Sequence, residues 1–528
     1  MTLLLKDARI VDGTGAPWYR GAVSVVDGQV ENVVRGADRN SSVTDVYDLN
    51  GAVLCPGFID LHSHADLEVL RDPSLEPKIR QGVTTEIVGQ DGFSYSPMHA
   101  ADGPKELELY LRGLSGRFNR DWPGMEIDEY LEAIESADPA PNVATLVGHG
   151  TVRYNVMGWE PRTATESELR EMSDLVAESL KRGAVGFSTG LEYSPHRHAT
   201  TREVQTLAAE LSPHGLPFVA HIRSYSDHMW DALDEFIDIG AEEGVPVHLS
   251  HFKLGATKRG KSDKALHLVT AARERGVDFT ADLYPYVPGS SMLLALVPTW
   301  AHAEGPERLL EHLEDDDARK QMKRELAEDG GSWDIDWDQV RISNVGSTSN
   351  EYVLGRTLHE IAAEQQKDPI DTMCDLLVED DLEVTVVLGS INGSDKDICR
   401  VLSSELVGIG TDGIFGDRPH PRVNGTYPRI LGEYVRERSL FSLEEAIRKM
   451  TSLPARIMGF ERKGLIRPGM DADIVVFQPN QVGSDATVNQ PNRFPDGIEH
   501  VLVDGQFVVR DGEITENRPG KALSSGSF

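Results

Sequence analysis

Through the middle of this chain, short apolar runs that stop at a histidine or an aspartate alternate with stretches whose apolar residues recur at helical spacing. Phe218-Val-Ala-His-Ile222, Val245-Pro-Val-His-Leu-Ser-His251, Phe279-Thr-Ala-Asp-Leu283 and Leu406-Val-Gly-Ile-Gly410 are runs of this kind, with the polar residue at or just after the end. Strands that alternate with helices pair in parallel, because a parallel neighbour is reached only through a crossover connection. The pattern predicts an α/β fold, a (β/α)₈ TIM-like barrel, whose chemistry sits at the C-terminal ends of its strands. One helix is fully marked: Thr165 and Glu168 form a capping box, Leu169, Met172, Val176 and Leu180 share a face, and Gly183 stands where a terminal glycine belongs. Ala184-Val-Gly-Phe-Ser188 then reads as a buried strand.

The two ends differ from the middle. Leu3-Leu-Leu5, Ala8-Arg-Ile-Val11 and Gly21-Ala-Val-Ser-Val-Val-Asp-Gly28 read as short strands with turns, and the pattern returns in Ala472-Asp-Ile-Val-Val-Phe477 and residues 501–512. Both ends are expected to build one small β-sandwich domain, residues 1–55 and 463–528, beside a barrel at residues 56–462. Between about residues 288 and 345 the chain turns acidic and helical, with no strand before Val340-Arg-Ile-Ser343. This reads as an insertion after a barrel strand and a candidate lid. The tail Ser524-Ser-Gly-Ser-Phe528 is expected to fray.

No segment is apolar for long enough to span a bilayer, and Met1-Thr-Leu-Leu-Leu-Lys-Asp-Ala-Arg reaches charge too soon for a secretory signal. The expected location is the cytoplasm. Three cysteines, Cys55, Cys374 and Cys399, show no pairing pattern and are expected as buried thiols. With 86 acidic against 52 basic residues the net charge is -34, which repels nucleic-acid phosphates and anionic lipid and argues against both as partners. Solubility explains the acidity; adaptation to high salt is the alternative, to which Glu314-Asp-Asp-Asp317 and the scarcity of lysine relative to arginine point.

The sharpest local signal is Pro56-Gly-Phe-Ile-Asp-Leu-His62-Ser-His64, an apolar strand ending in two histidines one residue apart. Strand side chains repeat with period two, so His62 and His64 face the same way and can share a metal. A catalytic metal takes about three protein ligands and keeps a position open for water. His221 and His251, at later strand ends, are the further candidates; His248 lies earlier in its strand and faces the opposite side. Asp412 follows Val407-Gly-Ile-Gly-Thr411 and presents a carboxylate at another strand end. It either caps the next helix or touches the metal and moves a proton from water to a leaving nitrogen.

Further motifs spread over nearly the whole chain: Leu146-Val-Gly-His-Gly-Thr151, Gly186-Phe-Ser-Thr-Gly-Leu191, His221-Ile-Arg223, Ser250-His-Phe-Lys253, Tyr284-Pro-Tyr286, Thr411-Asp-Gly413, His420-Pro-Arg422, Gly425-Thr-Tyr-Pro-Arg429 and Gly469-Met-Asp-Ala-Asp-Ile474. In these and in Pro56-Gly-Phe-Ile-Asp60 the sequence resembles the D-aminoacylase (N-acyl-D-amino-acid deacylase) branch of the amidohydrolase superfamily. The resemblance implies hydrolysis of a small-molecule N-acyl-D-amino acid to a carboxylate and a free D-amino acid, with zinc as the metal. It also implies that Lys253, Tyr284 and Arg422 clamp the substrate α-carboxylate, with Tyr193 lining the same pocket. A cationic fork with a phenol suits that group.

One departure stands out. Where that family has Asn-Cys-Gly, this chain reads Gly89-Gln-Asp-Gly92, so a carboxylate, Asp91, replaces a thiolate ligand. Carboxylate is less zinc-selective than thiolate and can bridge two ions. The implied arrangement has His221, His251 and Asp91 on one tightly bound Zn²⁺, and His62, His64 and Asp412 on an adjacent site for a second divalent ion. Two rivals remain: a cyclic-amide hydrolase resembling dihydroorotases and hydantoinases, and a non-catalytic barrel scaffold.

Overall fold

Eight parallel strands close into a barrel: β1 (Phe58–Asp60), β2 (Val83–Val88), β3 (Asn142–Thr145, continued by Val147–Gly148), β4 (Phe187–Gly190), β5 (Phe218–His221), β6 (Val247–Leu249), β7 (Phe279–Leu283) and β8 (Val407–Ile409). The computed structural model describes residues 2–36, 45–99, 103–118, 124–329, 336–389 and 391–525. β3 breaks at Leu146, its first part pairing with β2 and its second with β4. The ring shuts between β8 and β1 through a parallel bridge of Ser63 with Gly413. Every residue of β2, Val-Thr-Thr-Glu-Ile-Val, is buried, as a β-branched strand covered on both faces should be.

The helix marked in the sequence runs Glu166–Lys181 and carries the reciprocal Thr165–Glu168 capping box, with Leu169, Met172, Val176 and Leu180 buried. The strand after it starts later than Ala184, at Phe187, because Ala184 still closes the helix end by donating to the Ser179 carbonyl.

The insertion reaches further than residue 345. It leaves the barrel after β7 and builds its own antiparallel sheet from Gly289–Met292, Val340–Val345 and Val384–Leu388, flanked by helices such as Pro306–Glu314 and Pro369–Glu379. The barrel resumes only at the helix Asp395–Leu402 that leads into β8. Fully buried Leu294, Leu309, Met322, Ile342 and Met373 give the insertion a core of its own.

The two ends of the chain meet in one nine-stranded sheet. Thr2–Ile10 pairs with Tyr19–Val26 on one side; on the other it pairs with Asp45–Asp48 and then, past an irregularity at residues 5–8, with Val53–Pro56. Ile474–Phe477 joins Val53–Pro56 and brings in Ile498–Val503 and Gln506–Arg510. The hairpin ends Asp27-Gly28 and Asp504-Gly505 have both residues at positive φ, the conformation an Asp-Gly turn between strands favours. Bonds from Val30 N to Met470 O at 2.8 Å and from Gly469 N to Val30 O at 2.9 Å curl the sheet onto itself around Leu5, Ile10, Val23, Ile474 and Leu502. The last residues leave this domain: Ala522–Leu523 adds in parallel to β3, and the Ser525 amide bonds the Gly183 carbonyl. Residues 526–528 lie outside the described residues. Cys55 and Cys374 are buried thiols, whereas Cys399 is partly exposed because its helix, Asp395–Leu402, lies on the outside of the barrel. Among the described residues no helix is long and apolar enough to cross a membrane.

Candidate metal centre and active site

The six candidate ligands sit at or just past the C-terminal ends of five strands: His62 and His64 after β1, Asp91 after β2, His221 at the end of β5, His251 after β6 and Asp412 after β8. All are buried. Asp91 (φ 56°), His251 (φ 32°) and Asp412 (φ 50°) adopt left-handed backbone conformations, uncommon outside glycine. The Asp91 loop needs its glycine neighbour, since a Cβ on Gly92 (φ 79°) would lie 2.6 Å from His196 Nε2.

These side chains form two overlapping groups that share Asp91, one of His62, His64, Asp91 and Asp412, the other of Asp91, His221 and His251. Asp91 Oδ1 lies 3.6 Å from His62 Nε2 and 3.7 Å from His251 Nε2, while Oδ2 lies 3.7 Å from His64 Nε2 and 3.8 Å from His221 Nδ1. Such separations are too long for hydrogen bonds and suit atoms arranged around a common centre. The buried atoms His62 Nε2, Asp91 Oδ1 and His221 Nδ1 have no hydrogen-bond partner, a costly state that a divalent ion relieves. Charge agrees. Against the cost of burial, Asp91 and Asp412 push the His62 imidazole well above its ordinary value, so the cluster attracts positive charge. Burial and the Lys253 ammonium bring His251 down to about 4, leaving it neutral, as a ligand must be. The residues therefore fit a one- or two-ion centre.

Two groups that the sequence reading did not assign to the site support these ligands. Glu192 Oε2 lies 2.8 Å from His221 Nε2, which orients the ring and leaves Nδ1 facing Asp91. Asp282 accepts the His251 amide at 2.9 Å and faces His62 Nδ1 at 3.7 Å. It also holds His248 Nε2 at 3.0 Å, so His248 is turned away from the centre. The available signal for Asp282 was a polar residue at an alternate position of a buried strand. For Glu192 it was a carboxylate two residues beyond β4.

The four candidate substrate residues separate into two pairs. Tyr193 and Lys253 line a cavity with His64, Asp91, His251 and Asp412. Its remaining wall is formed by Phe93, Leu114 and Ile414 together with Ser290, Ser291 and Met292 of the insertion. Tyr193 stands edge-on to His221 with ring centroids 5.0 Å apart. Arg422 and Tyr284 lie behind Asp412 instead: Arg422 Nη1 is 2.7 Å from Asp412 Oδ2, and its guanidinium stacks 4.5 Å over the Tyr284 ring. Asp412 Oδ1 meanwhile faces His64 Nε2 at 3.2 Å. Burial would raise the Asp412 carboxyl, but Arg422 and His62 hold it below the usual carboxylate range.

Comparison with known proteins places the chain in a family. The chain is 35% identical over 524 residues to D-aminoacylase of Alcaligenes xylosoxydans xylosoxydans, covering 99% of this chain and 97% of the relative. It is 34% identical to N-acyl-D-glutamate deacylase of the same organism, covering 99% of this chain and 96% of that protein. The crystal structure of N-acyl-D-glutamate deacylase from Bordetella bronchiseptica, complexed with zinc and a phosphonate inhibitor that mimics the tetrahedral intermediate, superposes with a TM-score of 0.83 at 31% identity, covering 99% of each chain. The amidohydrolase family model matches residues 45–509, and this chain belongs to the amidohydrolase family.

Proposed function

We propose that this chain hydrolyses the amide bond of N-acyl-D-amino acids, releasing a carboxylate and a free D-amino acid. The observation that carries this reading is the cavity that Lys253 and Tyr193 share with His64, Asp91 and Asp412. The cavity is nearly closed, about 20 Å³, so an N-acyl amino acid would enter as Ser290, Ser291 and Met292 of the insertion draw back, and could then present its amide to the ligand cluster and its α-carboxylate to the ammonium. Identity of 33% to 35% over 99% of the chain to D-aminoacylase and to the deacylases of N-acyl-D-glutamate and N-acyl-D-aspartate supports the substrate class.

His221, His251 and Asp91 would hold one zinc ion, and His62, His64, Asp91 and Asp412 a second divalent ion. A divalent ion there supplies Lewis acidity and brings the pKa of neighbouring water toward neutrality. Asp412 is the proton carrier in this account. Its Oδ1 faces the cluster and its Oδ2 is fixed on Arg422, so the carboxylate is ionised and aimed when it must accept a proton, and it then returns that proton to the leaving nitrogen. Arg422 thus acts through Asp412; the substrate carboxylate would be received by Lys253 and Tyr193 at the cavity wall, with Arg422 and Tyr284 behind Asp412 as the supporting pair of the clamp. Burial lowers the Lys253 ammonium below its ordinary value, and a bound carboxylate restores the favourable charge balance.

The test is an assay of amine release from N-acetyl, N-formyl and N-carbamoyl derivatives of both enantiomers, with cyclic imides alongside. Hydrolysis of the linear D-substrates is the expected result. Turnover of the cyclic imides alone would make the chain a cyclic-amide hydrolase, and no turnover of any would make it a scaffold.

A further inference from the structure

Directly beneath the ligand cluster lies a fully buried lysine. Lys78 stands on the short helix Glu76–Ile79, and its side chain has no exposed surface. Its Nζ donates to Asp60 Oδ2 at 2.7 Å, Thr411 Oγ1 at 2.8 Å, Glu86 Oε2 at 3.0 Å and Ser63 Oγ at 3.1 Å. An ammonium has three protons for these four acceptors, so the arrangement is saturated. Lys78 does not line the substrate cavity.

Its partners are chain neighbours of the candidate ligands. Ser63 lies between His62 and His64, and Thr411 precedes Asp412. Asp60 Oδ1 accepts the backbone amides of His62 at 3.2 Å and Thr411 at 2.8 Å, so one carboxylate grips both sides of the seam where the barrel closes. Across that seam Asp412 N donates to His62 O at 2.7 Å and His64 N to Gly413 O at 3.2 Å. Glu86 ties in β2, the strand that leads to Asp91. If charge balance were its only role, Lys78 would need only Asp60 and Glu86; the bonds to Ser63 and Thr411 add nothing to neutrality and join the two segments that carry His62, His64 and Asp412.

We propose that Lys78 is a positioning residue that fixes His62 and His64 relative to Asp412, and so sets the affinity of that half of the centre for a divalent ion. Loss of a group that orients ligands costs about tenfold to a hundredfold in metal affinity. This rests on the metal-centre reading above but not on the identity of the substrate, and its readout is zinc binding by the full chain, measured by calorimetry with zinc alone. Lys78→Met should weaken one class of zinc site by at least about tenfold and leave the class built on His221 and His251 within about threefold. Lys78→Met combined with Glu86→Leu removes one buried carboxylate with the ammonium; it should recover thermal stability without recovering zinc affinity. Should these variants not fold, Ser63→Ala and Thr411→Val each cut one link without stranding a charge, and each should weaken the same class by about threefold or more. Equal zinc binding in the parent and the folded variants, including no binding in either, overturns the proposal. Parent-like affinity in the double variant does the same, since it would reduce Lys78 to a counter-charge. A chain that shows these zinc effects yet hydrolyses no N-acyl-D-amino acid would sink the proposed function alone.

Discussion

Replacing Asp412 by asparagine keeps its shape and removes its charge. The native carboxylate has one oxygen 2.7 Å from Arg422 Nη1 and the other 3.2 Å from His64 Nε2, all in a fully enclosed setting. Asparagine leaves the buried Arg422 guanidinium without the counter-charge of its ion pair, so the loss to stability is about 3–5 kcal/mol. Metal content should fall little, because Asp91 and the four histidines remain. Turnover is another matter: asparagine cannot carry a proton, and loss of a general acid/base costs about 100-fold to 10,000-fold in rate, or about 3–5 kcal/mol in the barrier. The assay is kcat for amine release from an N-acetyl-D-amino acid with the zinc content of each preparation measured in parallel. Turnover within about threefold of the parent in a zinc-replete Asp412→Asn protein would remove Asp412 from the chemistry.

Arg422→Ala should raise KM for acyl amino acids more than for acyl amines that lack the α-carboxylate, and because Arg422 also holds Asp412 below the usual carboxylate range, it should move the acid limb of kcat upward in pH by about one to three units. The sign follows from the role: a base must be deprotonated to act, so a raised pKa shifts the loss of activity to higher pH; an unmoved limb with equal KM effects on both substrates would make Arg422 structural. Asp91→Ala should lose metal and activity together, whereas Asp91→Cys should retain one tightly bound zinc; full metal and undiminished turnover in Asp91→Ala would show that this position no longer ligates. The insertion contributes Ser290, Ser291 and Met292 to the cavity wall and is separated from Glu192 and Arg223 of the barrel by a wide cleft, so it is expected to close on substrate. Hydrogen exchange in residues 289–345 should slow when a non-hydrolysed analogue binds, and no change would count against a lid.

The barrel was legible because its strands announce themselves twice, by apolar content and by the polar residue that ends each one. His62 and His64 illustrate the gain from period two: the intervening Ser63 turns the other way, down to Lys78, while both histidines face Asp91. His248 illustrates it in reverse, since its position earlier in β6 directs it to Thr280 and Asp282. What stayed hidden depends on contacts distant in sequence. Nothing local distinguishes Lys78 in Leu75-Glu-Pro-Lys-Ile79 from a surface lysine; its burial is imposed by Thr411, more than three hundred residues away. The end of the insertion is misjudged from sequence because Val340-Arg-Ile-Ser343 stands out as the first strand after the acidic helical stretch, and only its antiparallel pairing with Val384–Leu388 assigns it to the insertion. Arg422 was read as a substrate clamp from its motif, and its close approach to Asp412 could not be seen without the fold.

The central claim is that this barrel is a metal-dependent hydrolase selective for D-configured N-acyl amino acids. Its most direct test is the rate of free amino acid release from one N-acetyl-D-amino acid with an apolar side chain and from its L-enantiomer, by chelator-treated protein before and after zinc is restored. The account predicts almost no release before zinc, recovery after it, and a preference for the D-enantiomer of at least about a hundredfold, which corresponds to about 3 kcal/mol between the two transition states. Equal rates on the two enantiomers, or hydrolysis that survives chelation undiminished, would contradict it.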